Sequence, residues 1–355
     1  TKPTEEQTRL GRHTCQNRDE CQRGCSFGAY FSTQSATLPA AQATGKLTVV
    51  TDNIVHSLIY DEKTNRVLGV NVIDAESRET TEYFGGVVFM CASTLGTTQI
   101  LLNTKSAAFP TGLANSSGEL GHNLMDHCFR AGASGRFPGM EDKYYQGRRP
   151  TGIYIPRFRN VVDKHPDFLR GYGYQGSAYR EGWNSQAQQK GFGVDFKNSI
   201  RKPGPWMMGI GGWGECLPRH ENQVTLHSDH VDAWGMPQLH ISCQWSDNEM
   251  RILEDVADSA EEMLLAAGLE DVEKYNDAAP PGLCIHEMGT ARMGRDPQTS
   301  VLNGHNQSHD IPNLFITDGS CMTSSACQNP SLTYMALTAR AVNYAADQLK
   351  SGGLT

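Results

Sequence analysis

The apolar positions in the first part of the chain alternate with polar ones in the way that β-strands do. Residues 47–50 predict a strand that continues at 54–55, and residues 58–60 and 67–72 predict a hairpin with its polar turn at 61–66. Alternation, β-branched side chains and a polar turn between apolar runs favour antiparallel strands over a helix. We therefore expect a small antiparallel sheet here.

A continuous apolar run over residues 86–92 has a different character. Parallel strands are buried on both faces and lack alternation, so this run predicts a buried parallel strand. Residues 95–102 predict a short helix directly after it. A second short apolar run, residues 313–317, predicts another strand much later in the chain.

Between residues 128 and 277 the composition changes to alternating aromatic residues, glycine and proline. This pattern is typical of an antiparallel sheet. Ser246 and Glu249 form a capping-box pattern that predicts the start of a helix, and Gly268 predicts its end. The predicted fold class is α/β, or α+β when the whole chain is considered.

An Asn-Pro pair predicts the start of the last helix. Pro330 suits the first helical position, and Asn329 suits the N-cap before it. Apolar residues then recur at helical spacing and predict one buried face. They are Leu332, Met335, Ala336, Ala339, Val342 and Ala345.

Three motifs in the C-terminal part stand in a fixed order. His286 starts the Gly-broken loop HEMGTARMG, an Asp318-Gly319 turn follows the second short strand, and Asn329 opens the last helix. This order and spacing resembles the C-terminal signature of the glucose-methanol-choline (GMC) oxidoreductases, flavoenzymes that oxidise alcohols and sugars. A histidine in a loop is otherwise most often structural. The neighbouring motifs favour the catalytic interpretation here.

The resemblance implies that His286 accepts the hydroxyl proton of the substrate and that Asn329 hydrogen-bonds the substrate oxygen. An imidazole suits the first role because its unperturbed pKa of about 6.5 leaves it largely neutral at physiological pH. The resemblance also implies FAD as the cofactor. A reduced flavin carries negative charge on its pyrimidine side, which a helix N-terminus would favour.

The resemblance further implies a set of residues that contact FAD. The segment that ends at Val55 and the strand that ends at Ala92 are expected near the adenine, and the C-terminal motifs near the flavin ring. A purely structural role for the strand is the alternative. The implied contacts are Val55, Ala92, Asp318, Gly319, Asn329, Pro330 and Thr333.

The N-terminal part of the family's fold is expected to lie outside this chain. GMC enzymes begin with a strand, a G-x-G-x-x-G turn and a helix that hold the pyrophosphate of FAD. One formal match exists at residues 209–214, but Pro218 follows it and prevents a long helix. We interpret this match as a Gly-rich strand of the substrate domain. The chain is then expected to be a C-terminal fragment, or one piece of a cleaved or incompletely determined enzyme, with a GMC-type FAD-binding domain that lacks its N-terminal βαβ unit.

Charge and hydropathy argue against two classes of partner. The chain of 355 residues has 39 acidic and 31 basic residues and a net charge of −8, which argues against a nucleic-acid surface. It contains no apolar stretch of about 18 residues, so an integral membrane protein is not expected. The resemblance implies a sugar or glycoside substrate, with a cytochrome or a small subunit as electron acceptor.

Residues 120–127, LGHNLMDH, resemble another segment of the family. His122, Asp126 and His127 lie close together in it and raise the question of a metal site. The spacing of the two histidines places them on different faces of a helix, so this metal interpretation is weak. A structural hinge between two domains is the favoured interpretation.

Three of the ten cysteines, Cys15, Cys21 and Cys25, fall close together in a Gly-containing loop. Thiolates are the usual ligands of iron–sulfur clusters. A disulfide or free thiols explain the same residues, and zinc explains them less well because C-x2-C knuckles are missing. The loop resembles one in the GMC branch of bacterial FAD-dependent glucose and gluconate dehydrogenases, where three cysteines hold a [3Fe–4S] centre. Gln16 stands where those relatives tend to have a further cysteine.

The expected organisation is a Cys-rich loop at 1–25, part of the FAD-binding domain at 26–127, a substrate-binding domain at 128–280 and the catalytic C-terminal part of the FAD-binding domain at 281–355. The resemblance implies a sugar or glycoside dehydrogenase that forms a ketone or lactone. An oxygen-using pyranose oxidase and a non-catalytic carbohydrate-binding partner are the alternatives. A periplasmic or cell-envelope location is favoured, with the cytoplasm as the other option.

Overall fold

The computed structural model describes residues 2–18, 21–143, 152–182 and 186–354. Two short α-helices occupy its N-terminal region, which otherwise consists of loops, one 3-10 turn (Cys21–Arg23) and one π-helical turn (Thr33–Thr37). They are α1 (Glu5–Arg9) and α2 (Leu38–Ala43). Within the described ranges, no helix is both long and apolar enough to cross a membrane.

The predicted hairpin is confirmed as part of a three-stranded antiparallel sheet. Its strands are β1 (Asn53–Asp61), β2 (Arg66–Asp74) and β3 (Thr80–Phe84), in the order β1-β2-β3. Asp61 pairs with Arg66 across the polar turn. The inward side chains of this sheet, Leu58 and Val67 among them, join the main apolar core.

The prediction of a strand at residues 47–50 is wrong. A strand needs a hydrogen-bonded neighbour, and no strand of the described chain runs beside these residues. β1 starts only at Asn53. The side chains of Leu47, Val49 and Val50 are consequently exposed despite their apolar character.

A parallel strand pair lies beside this sheet and carries two of the predicted motifs. β4 (Val88–Met90) pairs in parallel with β13 (Leu314–Ile316), and α3 (Ser93–Asn103) follows β4. The predicted parallel strand, its helix and the second short strand are confirmed. Parallel pairing places the residues after β4 and after β13 at the same end of the two strands.

The antiparallel sheet predicted between 128 and 277 is also confirmed. Its strands run in the order β12-β6-β9-β8-β7, and β5 also pairs with β9. Their bounds are β5 (His127–Cys128), β6 (Ala131–Phe137), β7 (Gly152–Ile155), β8 (Tyr172–Arg180), β9 (Trp206–Glu215) and β12 (Glu270–Asn276). A separate hairpin, β10 (Gln223–Val231) with β11 (Pro237–Ser242), and the short helix α4 (Gly193–Ser199) complete this part.

Helix α5 (Asp247–Ala266) packs across this sheet and begins at the predicted Ser246 capping box. Its apolar face forms a second core with β6, β8 and β9. A Cβ atom at Gly212 would collide with Val256, and one at Gly214 would collide with Cys128 and Ile252. The G-x-G-x-x-G match therefore lies in strand β9, as predicted, and its glycines allow close packing of strand and helix.

The last helix, α6 (Ser331–Lys350), differs from its prediction in two ways. Pro330, rather than Asn329, is its N-cap, and no side chain caps the helix. The helix docks through Ala341 and Ala345, which pack with Phe315 of β13. The predicted face is therefore exposed apart from Ala345, with Leu332 77% exposed. Sequence periodicity finds an apolar face but does not show what covers it.

Candidate active site

The loop that follows His286 is held between two other segments. Met125 and Met288 exchange two backbone hydrogen bonds of 2.9 Å. On the other side, three N–H groups of the loop donate to successive carbonyls after β13. The pairs are Gly289 to Gly319 at 3.1 Å, Ala291 to Ser320 at 2.9 Å and Met293 to Cys321 at 3.0 Å.

Two glycines of these motifs are required by close contact. Gly289 has a φ of +101°, and a Cβ atom there would meet the carbonyl oxygen of Asn123. A Cβ atom at Gly319 would meet the carbonyl oxygen of Glu287 and the hydroxyl of Thr94. Only glycine allows backbones to approach this closely. The two motifs are therefore joined by packing, although 30 residues separate Gly289 from Gly319.

Asp126 organises the backbone that leads into His286. This carboxylate is 1% exposed and accepts four backbone N–H groups. The donors are His127 at 2.8 Å, Gly282 at 2.8 Å, Cys284 at 3.2 Å and His286 at 3.2 Å. Ile285, between two of these donors, has a φ of +59°, which is strained for a β-branched residue. The carboxylate thus holds the residues on both sides of a strained position.

His127 lies against His286. Their Nδ1 atoms are 2.9 Å apart, and Nε2 of His127 lies 3.2 Å from the carbonyl oxygen of Ser325. Burial, and then the neighbouring His286, lower the pKa of His127 to about 4. Burial also lowers the pKa of His286, which is half-buried. Both rings are therefore neutral at neutral pH.

This hydrogen-bond chain assigns the tautomers of the two rings. A carbonyl oxygen only accepts hydrogen bonds, so Nε2 of His127 carries the proton that faces Ser325. Nδ1 of the neutral His127 is then an acceptor, and Nδ1 of His286 donates to it. The lone pair of His286 consequently lies on Nε2, where it can accept a proton.

His127 is the residue that sequence reasoning missed. The weak metal interpretation treated His122 and His127 as residues of one helix, whereas His127 starts strand β5. His122 instead stacks on His220 and contacts its carbonyl at 2.7 Å. The segment 120–127 supplies both Asp126 and His127 to the site. The adjacent aspartate and histidine in this segment were the sequence signal that could have indicated their role.

Ser325 and Asn329 lie at the two ends of one short segment. Ser325 contacts His127, and Asn329 lies at the opposite end. Its Oδ1 accepts a hydrogen bond of 2.7 Å from Nε2 of Gln175 on β8. This contact orients the amide so that its NH2 group remains as a donor. Asn329 is exposed, and the contacts of the described residues do not link it directly to His286.

Three of the residues predicted to contact FAD meet at the end of the parallel strand pair. The N–H of Ala92 donates to the hydroxyl of Thr97 at 3.2 Å, and that hydroxyl donates to Asp318. Asp318 also accepts from the N–H of Ser320 at 3.0 Å, and burial raises the pKa of its carboxyl group. Gly319 follows directly. Asp318 therefore anchors the turn from within the protein.

The remaining predicted cofactor residues divide into two groups. Val55 lies on β1 and packs against the main core, so it does not join the others. Pro330 is buried at the start of α6, while Asn329 and Thr333 beside it are exposed. The first turn of α6 has no side-chain cap. Its N–H groups suit the negatively charged side of a reduced flavin, so these residues fit FAD.

The expectation of a metal centre at Cys15, Cys21 and Cys25 is not supported. None of the three forms a disulfide in the described part of the chain, and Cys15 is exposed while the other two are partly exposed. Among the described residues, the grouping with metal-ligand geometry is His127, Cys284 and His286, not the N-terminal cysteines. The short spacing of the three cysteines along the loop therefore does not bring their sulfur atoms to the distances that a shared metal requires.

Comparison with known proteins identifies the family. Two family models described as GMC oxidoreductase match residues 5–129 and 218–338. The chain belongs to the GMC oxidoreductases, as its motifs predicted. The match at 5–129 gives no support to the expectation that the N-terminal βαβ unit is lacking.

Two dehydrogenases and one oxidase are among the proteins similar to this chain. The chain is 32% identical to 2-methyl-1,2-propanediol dehydrogenase of Mycolicibacterium austroafricanum over 79% of this chain and 51% of the relative. It is 25% identical to the fructose dehydrogenase large subunit of Gluconobacter japonicus over 96% of this chain and 61% of the relative. Formate oxidase of Aspergillus oryzae shares the fold, with a TM-score of 0.61 and 14% identity over 90% of this chain and 64% of that structure. The chain thus spans about half to two thirds of these proteins.

Proposed function

We propose that this chain carries the alcohol-oxidising site of an FAD-dependent GMC oxidoreductase that acts on a hydroxyl group of a sugar or glycoside. The observation that carries the proposal is the contact between His127 and His286, which leaves the lone pair of His286 on Nε2. FAD, when bound, accepts the hydride from the carbon that bears the hydroxyl group. The residues of the chain handle the proton and position the oxygen.

His286 and Asn329 have complementary roles in this proposal. The hydroxyl proton of the substrate passes to Nε2 of His286, which acts as general base. The NH2 group of Asn329, oriented by Gln175, donates to the substrate oxygen. An oxygen that loses its proton gains negative charge, so a fixed donor becomes more favourable as the reaction proceeds.

Two of the relatives support the choice of substrate and acceptor. Fructose dehydrogenase and 2-methyl-1,2-propanediol dehydrogenase are, by name, dehydrogenases of a sugar and of a diol. We therefore infer an acceptor other than oxygen. The name of the former also specifies a large subunit, which supports a partner subunit for this protein.

Anaerobic mixing of the FAD-loaded protein with sugars, glycosides and diols tests this function. We expect bleaching of the flavin absorbance by at least one class, and reoxidation by a cytochrome or dye faster than by oxygen. Rapid reoxidation by oxygen with stoichiometric peroxide would instead identify an oxidase. A protein that binds carbohydrate without any bleaching would be a binding subunit.

His127→Leu is expected to slow flavin reduction roughly 10- to 100-fold with little change in KM, because His286 loses the acceptor that fixes its tautomer and orientation. His127→Asn should retain more activity, since its Oδ1 can replace the acceptor at Nδ1. Stopped-flow reduction and a KM measurement check both variants. Equal rates in the Leu and Asn variants would exclude the tautomer role.

A further inference from the structure

We propose that His127, Cys284 and His286 form a binding site for one Zn²⁺ or a similar divalent transition-metal ion. We further propose that metal binding there prevents His286 from acting as the general base. One ligand atom from each residue lies within 4.8 Å of the others. Two imidazoles and one thiolate are donors that zinc commonly takes in proteins. Metal binding rests on geometry alone, whereas the inhibition rests on the proposed function.

Two of the three ligand distances are close to those of tetrahedral coordination, and the third, between Cys284 and His127, is within 4.8 Å. Zn–N and Zn–S bonds of about 2.0 and about 2.3 Å place N and S ligands about 3.5 Å apart and two N ligands about 3.3 Å apart. Sγ of Cys284 and Nδ1 of His286 are 3.6 Å apart. The two Nδ1 atoms are 2.9 Å apart, so they must separate by about 0.4 Å.

The surroundings hold the ligand residues in place. The backbone N–H groups of all three ligand residues donate to the carboxylate of Asp126. Nε2 of His127 is tied to Ser325, which directs its Nδ1 toward the site. Such outer contacts are usual around metal ligands. His127 and Cys284 are buried, whereas His286 is half-buried, and a water molecule would complete the coordination as fourth ligand.

Occupation changes the proton positions at the site. The cation forms a bond to sulfur, and the thiol proton of Cys284 leaves to solvent. It also takes the Nδ1 lone pair of His286, so the proton that Nδ1 carried toward His127 must move to Nε2. A protonated Nε2 cannot accept the hydroxyl proton of a substrate. The metal therefore blocks catalysis through the tautomer of His286.

Cobalt titration of the metal-free protein, with its cysteine thiols reduced, tests the site without measuring turnover. We expect one Co²⁺ per chain with a thiolate-to-cobalt charge-transfer band, which Zn²⁺ removes by competition. Cys284→Ser should lose this band. A protein with Cys15→Ser, Cys21→Ser and Cys25→Ser together should keep it. The reverse pattern, or no band in the wild type, would overturn the proposal.

X-ray absorption at the zinc edge of the wild-type protein does not depend on the folding of any variant. We expect one sulfur at about 2.3 Å and two imidazole nitrogens at about 2.0 Å. A coordination shell of three sulfurs would place the metal in the N-terminal loop and reject the proposed site.

Flavin reduction with and without Zn²⁺ tests the inhibition separately. We expect stoichiometric Zn²⁺ to slow reduction at least tenfold, and Cys284→Ser to reduce this sensitivity relative to its own metal-free rate. Cobalt binding with unchanged flavin reduction would keep the metal site and reject its coupling to catalysis. Cobalt binding in a protein whose flavin no alcohol reduces would instead count against the proposed function.

Discussion

His286→Ala is expected to lower the rate of flavin reduction by substrate roughly 10²- to 10⁴-fold, the usual contribution of a general base. The side chain is half-buried and its ring contacts His127. Its loss removes the acceptor for the hydroxyl proton but leaves the backbone contact to Asp126 in place. Stability should therefore change little. Anaerobic stopped-flow measurements of flavin absorbance check the rate.

A matched control separates the base from a general effect of histidine removal. His240 lies on β11 and is exposed, so His240→Ala should reduce the flavin at the wild-type rate. A near wild-type rate in His286→Ala would remove this residue from the mechanism. Equal losses in both variants would point to damage outside the site.

Asp126→Asn is expected to lower the free energy of unfolding by about 3 kcal/mol and the rate of flavin reduction roughly 10²-fold. The amide retains one acceptor oxygen, so two of the four backbone donors lose their partner and face an NH2 group instead. The strained φ of Ile285 also loses a contact beside it. His286 would no longer be held in position. Denaturant unfolding and stopped-flow reduction measure the two effects.

Asp163→Asn gives the corresponding control, because this carboxylate is exposed and the same chemical change should alter neither stability nor rate. A wild-type rate in a destabilised Asp126→Asn protein would show that Asp126 supports the fold but does not position His286. Wild-type stability would show that the loop has other supports.

Much of the architecture followed from local patterns. The hairpin of β1 and β2, the parallel strand β4 and the capped helix α5 all appear where alternation, continuous apolar character and a capping box predicted them. Local patterns did not predict that residues 47–50 would be exposed without forming a strand, or that the apolar face of α6 would be largely exposed. Periodicity shows that a segment has an apolar side, but burial depends on a partner elsewhere in the chain.

The sequence by itself determined the family, the importance of His286 and the glycines of its motifs, because these are short patterns with fixed order. Only the tertiary structure decided which groups surround His286. His127 is 159 residues away along the chain and yet contacts His286 at 2.9 Å, and Asp126 holds the backbone of both. The N-terminal cysteines, although close in sequence, do not converge in space. Ligand and proton-transfer geometry arises where distant segments pack together, and spacing along the chain does not specify that packing.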